Sequence, residues 1–363
     1  MKTFSKTCVA AALLLASFAQ AEARQWTLGD CVNYALANNI SLKKTKVQQL
    51  TALEDVKQSQ AALLPSLDFS TSQNITYRPW PESGRQTVAN GYVQSSVDKT
   101  YYNGSYSVSG NWTVWNGGRN TNQVKLNKLT EQKAVLDSAQ TANNILEQIA
   151  QLYVQILYSN EAIKVNKSSL ETSKANEERG KTMVGVGKMS KADLAQLTSQ
   201  RAQDEYNIVE AESNLRNYKR QLKQLLQITN DDEFDVAVPE ATDAMALEAV
   251  PALNDVYTAT IEHRPEIKAA QLGVESSDLS LKIAKAQRMP TIGLNLGVAT
   301  NTTSMSNDAW GSQMKTNFNV GGGVTLSIPL FDNRSSKTAA NKAMLQRESY
   351  MLDMKDKQTT LYS

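Results

Sequence analysis

Two stretches of the chain, each directly after a proline, alternate apolar and polar residues with period two. Apolar residues occupy one parity and small polar residues the other, after Pro65 and again after Pro290. Each stretch has a return partner across a polar, turn-rich segment, residues 78–100 in the first case and 301–315 in the second. Period-two alternation is typical of a sheet with one apolar and one polar face. The pattern therefore predicts four strands in two hairpins.

The apolar positions of these strands form a candidate lipid-facing surface. Strands of about ten residues match the length that crosses a bilayer obliquely. The other parity holds Ser, Asn, Gly and Thr, which suit a wet interior. Lipid contact is predicted for Leu67, Phe69, Ile292, Leu294, Leu296, Val324, Leu326 and Ile328. A soluble β-sandwich with one face in water is the alternative interpretation of this alternation.

A different period follows the first strand pair. Apolar residues recur at three- and four-residue spacing over residues 119–179, without Gly or Pro. As a helix, these residues would extend roughly 90 Å. After Gly185 and Gly187, a second long helix is predicted from about Ser190 to Leu226. Such lengths without internal caps are typical of coiled coils, so we predict a long antiparallel helical hairpin.

The order helix–proline–strand occurs twice, at a constant offset along the chain that aligns Pro65 with Pro290. We therefore assign residues 22–228 to a first structural repeat, 229–251 to an acidic connector and 252–363 to a second repeat. After its return strand, the second repeat is much shorter than the first. We expect that it is truncated and that the chain assembles poorly on its own.

The N-terminus has the features of a secretory signal over residues 1–21. Lys2 and Lys6 precede an apolar run, and Ala19-Gln20-Ala21 fits a cleavage site. The run is too short to cross a bilayer as a helix. No later apolar run is long enough for a membrane-spanning helix either, so any membrane span is expected to consist of strands.

Composition excludes several function classes. The chain has 38 basic and 36 acidic residues, and removal of the signal would make the charge near neutral. It therefore lacks the basic footprint of a nucleic-acid-binding protein. His263 is the one histidine and Cys31 the one cysteine after the signal, which excludes a Cys/His zinc site and an intrachain disulfide. Cys31 is predicted to be a small buried residue.

No catalytic constellation emerges from the sequence. Asp231-Asp232 lies in the connector and is predicted to be solvated, as are the charged runs at residues 177–179 and 219–220 on the helices. We predict no enzyme activity and no cofactor or metal.

Four strands cannot form a closed membrane structure by themselves. In lipid, every backbone N–H and C=O must be paired, so an open four-stranded sheet is excluded there. Single-chain barrels start at eight strands, and sharing between two or three chains would give eight or twelve. Long helices packed around an axis favour three chains. The predicted fold is mainly α, with a small membrane β portion shared in a trimeric β-barrel.

These features resemble the TolC-like outer-membrane efflux protein family over the whole mature chain. The segment HRPEIKAA at residues 263–270 is similar to the helix start of that family, and PLFDN at residues 329–333 to its strand exit. Val186-Gly187 followed by Asp193-Leu194 is similar to its helix–turn–helix tip. The resemblance implies a homotrimer in outer-membrane lipid, continued into the periplasm by an α-barrel whose tip meets a periplasmic adaptor protein and an inner-membrane pump.

The implied function is that of a channel subunit, a passive exit duct in tripartite efflux or type I secretion. The adaptor-docking candidates are Val186, Gly187, Asp193 and Leu194, although a simple helix reversal also explains these residues. Met183 and Val184 depart from the Arg and aromatic residue usual there in the family. The helix–strand junctions are Pro65, Pro290 and Pro329. A non-conducting structural or adhesive outer-membrane protein, with binding residues in loop 78–100, and a periplasmic adaptor are the alternatives.

Overall fold

A computed structural model describes residues 25–80, 84–88, 91–95, 99–229, 234–238 and 252–362; the side chains of 84–88, 91–95 and 253–254 are outside this description. The predicted signal, residues 1–21, lies outside the described residues, as does most of the connector, including Asp231 and Asp232. Among the helices of the described ranges, none is both long and apolar enough to cross a membrane.

The chain is mainly helical with a small β portion, as predicted. In order, the elements are β1 (Gln25–Trp26), α1 (Leu28–Asn38), α2 (Ile40–Ala61), β2 (Ser66–Tyr77), β3 (Gly84–Val88), β4 (Gly91–Ser95), β5 (Thr100–Trp115), α3 (Arg119–Gly185), α4 (Lys191–Leu226), β6 (Asp235–Val236), α5 (Leu253–His263), α6 (Pro265–Ala286), β7 (Thr291–Thr303), α7 (Trp310–Thr316), β8 (Asn319–Ser327) and α8 (Ser335–Tyr362). With 67 residues, α3 is roughly 100 Å long at 1.5 Å per residue.

The predicted internal duplication is confirmed by the element bounds. Helices α1 and α5 both have 11 residues, and α2 and α6 both have 22. Their first and last residues, and the first residues of β2 and β7, are separated by the same offset as Pro65 and Pro290. The compact units of the fold are Met1–Gln48 with Asp137–Thr258, and Gln49–Leu136 with Ala259–Ser363. Both units draw on both repeats, so the repeat boundaries stay a prediction.

The first unit has a core in which α1 packs with the middle of α3, the end of α4 and the two-residue strand β6. The core residues are Cys31, Ala35, Leu42, Ile145, Ile149, Tyr153, Ile156, Leu222, Leu226, Phe234 and Val236. β6 pairs in parallel with β1, and the Tyr153 hydroxyl donates to the carbonyl oxygen of Ala237. These contacts hold the segment after α4 against the helices.

Asn39 divides what periodicity alone suggests is one helix into α1 and α2. Its backbone leaves the helical region, with φ −59° and ψ 127°. Its side-chain oxygen accepts from the backbone N–H of Ser41 at 2.8 Å, which caps α2, and its amide donates to the carbonyl of Leu225 at 3.0 Å. Because Asn39 is buried, these bonds replace its contacts with water.

The second unit contains an antiparallel sheet in the order β2-β5-β7-β8. The register places apolar residues opposite one another on one face: Phe69 faces Val108, Val108 faces Val298, and Val298 faces Val320. On one side of this row, the next row on that face runs through Leu67 and Leu296, and the row after it through Leu294 and Val324. The predicted two-faced sheet is therefore present, with β2 and β8 at its edges.

The structure corrects three details of the predicted β region. β8 ends at Ser327, paired with Thr291, so Ile328 lies one residue beyond the strand; Pro329 disfavours continued pairing there because it has no N–H. The segment 301–315, predicted to be a loop, contains the start of α7, too short for a visible period. Within 78–100, β3 and β4 form a hairpin.

Candidate functional site

The turn between α3 and α4, which carries the four docking candidates, is closed by backbone hydrogen bonds. The N–H of Lys188 donates to the carbonyl of Met183 at 2.8 Å, and the N–H of Gly187 to that of Val184 at 3.1 Å. This pair of bonds is a Schellman motif, with Gly187 as its left-handed residue at φ 72°. The conformation of this turn therefore explains why residue 187 is glycine.

Asp193 belongs to a capping box at the start of α4. The Ser190 hydroxyl accepts from the Asp193 N–H at 3.1 Å, and the Asp193 carboxylate accepts from the Ser190 hydroxyl at 2.8 Å. The same carboxylate also accepts from the Ser190 N–H. The reciprocal bonds satisfy donors at the first turn of the helix, so Asp193 has a structural role at the turn.

The apolar candidates at the turn differ in exposure. Leu194 is half-buried, and a Cβ added to Gly180 on α3 would lie 3.3 Å from its side chain and 2.7 Å from that of Leu197. Gly180 thus allows α3 and α4 to approach closely. Val186 by contrast is 64% exposed. Of the four candidates, Val186 is the residue whose side chain the turn itself does not use.

An ionic cluster around the buried Glu177 links α3 and α4 near this turn. The predicted solvated face is correct for Glu178 and Arg179, which are exposed, and wrong for Glu177. Glu177 is buried and accepts from Thr198 Oγ1 at 2.9 Å and Arg201 Nε at 2.9 Å. Arg201 also pairs with Glu205 at 2.7 Å. The Thr198 hydrogen bond, and then the charges of Lys181 and Arg201, lower the pKa of the Glu177 carboxyl against the opposing effect of burial.

The lipid-facing candidates share the apolar face of the sheet, apart from Ile328. Leu67, Phe69, Leu296, Val324 and Leu326 are between 59% and 78% exposed, and Ile292 and Leu294 are half-buried. The opposite face carries hydroxyl ladders, in which Ser70 contacts Ser107 and Ser72 contacts Ser105, each at 2.7 Å. One face of the sheet thus exposes hydrocarbon while the other pairs its polar groups.

The helix–strand junctions have matched geometry in the two repeats. Pro65 directly precedes β2 and Pro290 directly precedes β7, while Pro329 follows the end of β8. The predicted junction residues therefore lie at the ends of strands.

The turns that lead from a strand into the next long helix are also matched. Gly117 and Gly118 have φ of 68° and 77°, and Asn333 and Arg334 have φ of 50° and 67°. In the first turn Asn116 caps α3, accepting from the Asn120 N–H at 3.2 Å, and in the second Asp332 caps α8, accepting from the Ser336 N–H at 2.8 Å. In both turns, an Asn or Asp accepts from the backbone N–H four residues later, and this residue type is a sequence signal for a helix cap.

Sequence reasoning missed Asn39 and the pairing of Glu177 with Arg201. An Asn between two apolar-periodic stretches is a signal for the first. No local signal marks the second, because its partners lie on different helices. In the described part of the chain, no group of three or more His, Cys, Asp or Glu side chains is placed to hold a metal ion.

A known protein family and individual relatives match most of this sequence. The sequence profile of the outer membrane efflux protein family matches residues 31–227 and 256–362. The toxin and drug export protein A of Aggregatibacter actinomycetemcomitans is 24% identical over 308 residues, 84% of this chain and 62% of that protein. This chain therefore spans less than two thirds of that relative's length.

Solved structures share the fold at low sequence identity. CusC superposes with a TM-score of 0.74 at 15% identity, over 95% of this chain and 76% of its own. The outer membrane protein VceC from Vibrio cholerae superposes with a TM-score of 0.73 at 16% identity, over 92% and 75% of the two chains. With the family profile covering most of the sequence, the chain belongs to the outer membrane efflux protein family.

Proposed function

We propose that the protein is the subunit of an outer-membrane exit duct, a passive channel without a catalytic step. The observation that carries this proposal is the four-stranded sheet with one exposed apolar face, one hydroxyl-rich face and two edge strands, β2 and β8. Such edges cannot remain unpaired in hydrocarbon, and pairing between chains removes them. Three chains would give a closed barrel of twelve strands with the hydroxyl-rich face inside.

The long helices support the periplasmic part of the proposal. Helix α3 alone is long enough to reach well beyond a bilayer of about 30 Å. A trimer of such hairpins could enclose a continuous duct, and a periplasmic adaptor at the α3–α4 turn would connect it to an inner-membrane pump. The exported compounds would cross by diffusion, with energy supplied by the pump.

Charge placed on either face of β8 tests the membrane part of the proposal. Val324→Lys puts an ammonium group on the apolar face, and Thr325→Lys puts one on the opposite face one residue away. A lysine facing lipid costs about 2–4 kcal/mol near the bilayer midplane. We expect Val324→Lys to abolish insertion and planar-bilayer conductance, whereas Thr325→Lys conducts with selectivity shifted towards anions.

Equal insertion of the two lysine variants would contradict a lipid-facing role for the face of β8 that carries Val324. An assembled, inserted wild-type protein that conducts no ions would contradict the duct.

Val186 tests the docking part of the proposal. If the adaptor contacts the turn through its exposed apolar side chain, Val186→Ser reduces the amount of adaptor that crosslinks to the protein in cells. Val165→Ser is the matched control, since Val165 is 62% exposed and lies on α3 several turns before Val186. Equal crosslinking of the two variants would show that the Val186 side chain takes no part in docking.

A further inference from the structure

Helix α7 lies on the apolar face of the sheet. The Thr300 hydroxyl donates to the carbonyl of Met314 at 2.8 Å, and the Trp310 ring contacts the Tyr106 ring edge-on, with centroids 6.2 Å apart. Tyr106 and Thr300 face each other on β5 and β7, one position pair along from Val108 and Val298. Side chains two residues apart on a strand share a face, so α7 covers the same face as the lipid-facing candidates.

The attachment of α7 to β7 is well defined. The side-chain oxygen of Gln313 accepts from the Thr303 N–H at 2.8 Å, and its amide donates to the carbonyl of Asp308 at 2.8 Å. Asn317, which follows the helix, donates from its amide to the carbonyl of Asn301 at 2.7 Å. Gln313 is buried, although it belongs to a surface segment. These bonds place α7 on the sheet as a built part of the fold.

The apolar face changes character where α7 covers it. Beyond the Val108 row, the same face holds Tyr106 and Thr300, and then Gln73 and Thr302. The Gln73 amide donates to the Tyr106 hydroxyl at 2.9 Å, and Thr300 and Thr302 are buried. Uncovered polar groups on a lipid-facing surface are costly. The helix therefore shields Thr300 and Thr302 just where the hydrocarbon-compatible rows end, whereas Gln73 on the edge strand β2 is exposed.

The outer surface of α7 has the chemistry of a membrane interface. Trp310 is 59% exposed, and Lys315 in the last turn is exposed. Tyr77 and Tyr102, on the same face of β2 and β5, are also exposed. Trp and Tyr concentrate at the level of lipid headgroups because their rings are apolar at one end and polar at the other. An exposed lysine beside them can approach lipid phosphates.

We propose that α7 lies in the headgroup layer of the bilayer, on the outside of the sheet, with Trp310 at the boundary of the hydrocarbon and Lys315 towards lipid phosphates. This inference rests on the proposed function, in which the apolar face of the sheet contacts lipid. It adds a binding surface for phosphate-bearing lipid headgroups outside the duct.

Spin labels on single cysteines test the position of α7 in reconstituted full-length protein. In a Cys31→Ala background, labels are placed at Ser312 on α7, at Leu67 on the apolar face and at Ser107 on the polar face. We expect the Leu67 label to be the most accessible to oxygen, which partitions into lipid, and the Ser107 label to a water-soluble nickel chelate. The Ser312 label should be intermediate for both.

The labels separate the failure of this proposal from the failure of the proposed function. A Ser312 label as accessible to nickel as the Ser107 label, with the Leu67 label still in lipid, would overturn the placement of α7 and leave the duct intact. A Ser312 label shielded from both reagents would place α7 against a second copy and also overturn it. Nickel access at Leu67 would overturn the lipid contact itself.

Fluorescence gives a second readout that needs no cysteine. The emission of the wild-type protein minus that of Trp310→Phe isolates the Trp310 signal. We expect phospholipids brominated near the headgroup to quench this signal more than phospholipids brominated at the chain ends. Lys315→Gln should reduce the additional quenching obtained when the brominated lipid is anionic. Equal quenching by both bromine positions, or none, would contradict a position in the headgroup layer.

Discussion

At the scale of single residues, the two strand-to-helix turns show one backbone path made from different side chains. Gly117 and Gly118 take the left-handed region without strain, whereas Asn333 and Arg334 take it with a Cβ. Asparagine tolerates this region better than arginine because its short side chain can bond locally. The strain in the second turn should therefore lie mostly at Arg334.

Arg334→Gly should stabilise the protein by about 1 kcal/mol, because glycine removes the Cβ strain at φ 67°. Asn333→Gly should give a smaller gain. Denaturant unfolding measures both. In the first turn, Gly118→Ala should cost about 1 kcal/mol, and Gly117→Ala more, because its Cβ would lie 2.5 Å from that of Met289. A loss of stability in Arg334→Gly would show that the guanidinium makes a contact worth more than the strain.

Cys31 is a residue whose environment controls its chemistry. It has no exposed surface, and burial, followed by the charge of Asp30, raises the pKa of its thiol to about 11. We expect no reaction with a thiol reagent at pH 8 in the folded protein and complete reaction in denaturant. A rapid reaction under native conditions would contradict the packing of α1 into the core.

At the scale of elements, the strands and helices that could be predicted from sequence are those with a regular pattern of apolar and polar residues. The strands were predictable because apolar and polar residues alternate between the two faces of the sheet, and the long helices because their apolar spacing continues without breaks. The division at Asn39 was not, since it depends on a bond to Leu225, which is distant in sequence. β6 and α7 are too short for a period, and both are held by tertiary contacts.

The break between α1 and α2 should be sensitive to the Asn39 side chain. Asn39→Ala removes the cap of α2 and leaves the Leu225 carbonyl without this donor, so we expect a loss of about 1–3 kcal/mol in urea unfolding. Asn38→Ala is the control, because Asn38 is half-buried and its amide donates to the carbonyl of Tyr34 within the same helix, not to a second helix. Similar losses in both variants would assign the effect to helix propensity.

The cluster between α3 and α4 should make stability depend on pH. Since the pKa of Glu177 in the folded protein lies below its ordinary value of 4.5, its ionised form stabilises the fold above that pH. This contribution is lost as the pH falls through the lowered native pKa. We expect Glu177→Gln to lower the thermal midpoint at pH 7, with the difference from wild type vanishing in acid.

Glu178→Gln is the matched control for Glu177→Gln. The Glu178 carboxylate is 75% exposed, and its ion pair is with Lys181 at 3.4 Å. Its effect should be small at every pH. A midpoint difference for Glu177→Gln that persists in acid would assign the effect to packing.

At the scale of the whole molecule, the family and the sheet could be predicted from sequence, but the role of the turn residues could not. Gly187, Asp193 and Leu194 were selected because they resemble a family motif, and the structure assigns each a task in reversing the chain. A motif of this kind marks the turn whether or not a partner binds there. Val186 is therefore the residue at which docking and folding can be separated by mutation.

The duplication makes the chain its own reference sequence. Positions in one copy of the helix–proline–strand unit have counterparts at a fixed offset in the other. Because both copies belong to one polypeptide, they are always compared under the same solution conditions. The counterparts differ in chemistry, as with Asn39 and Arg264 ahead of equal-length helices, while the helix bounds coincide. Where two counterpart residues differ but the helix bounds agree, the backbone conformation does not depend on the side chain at that position.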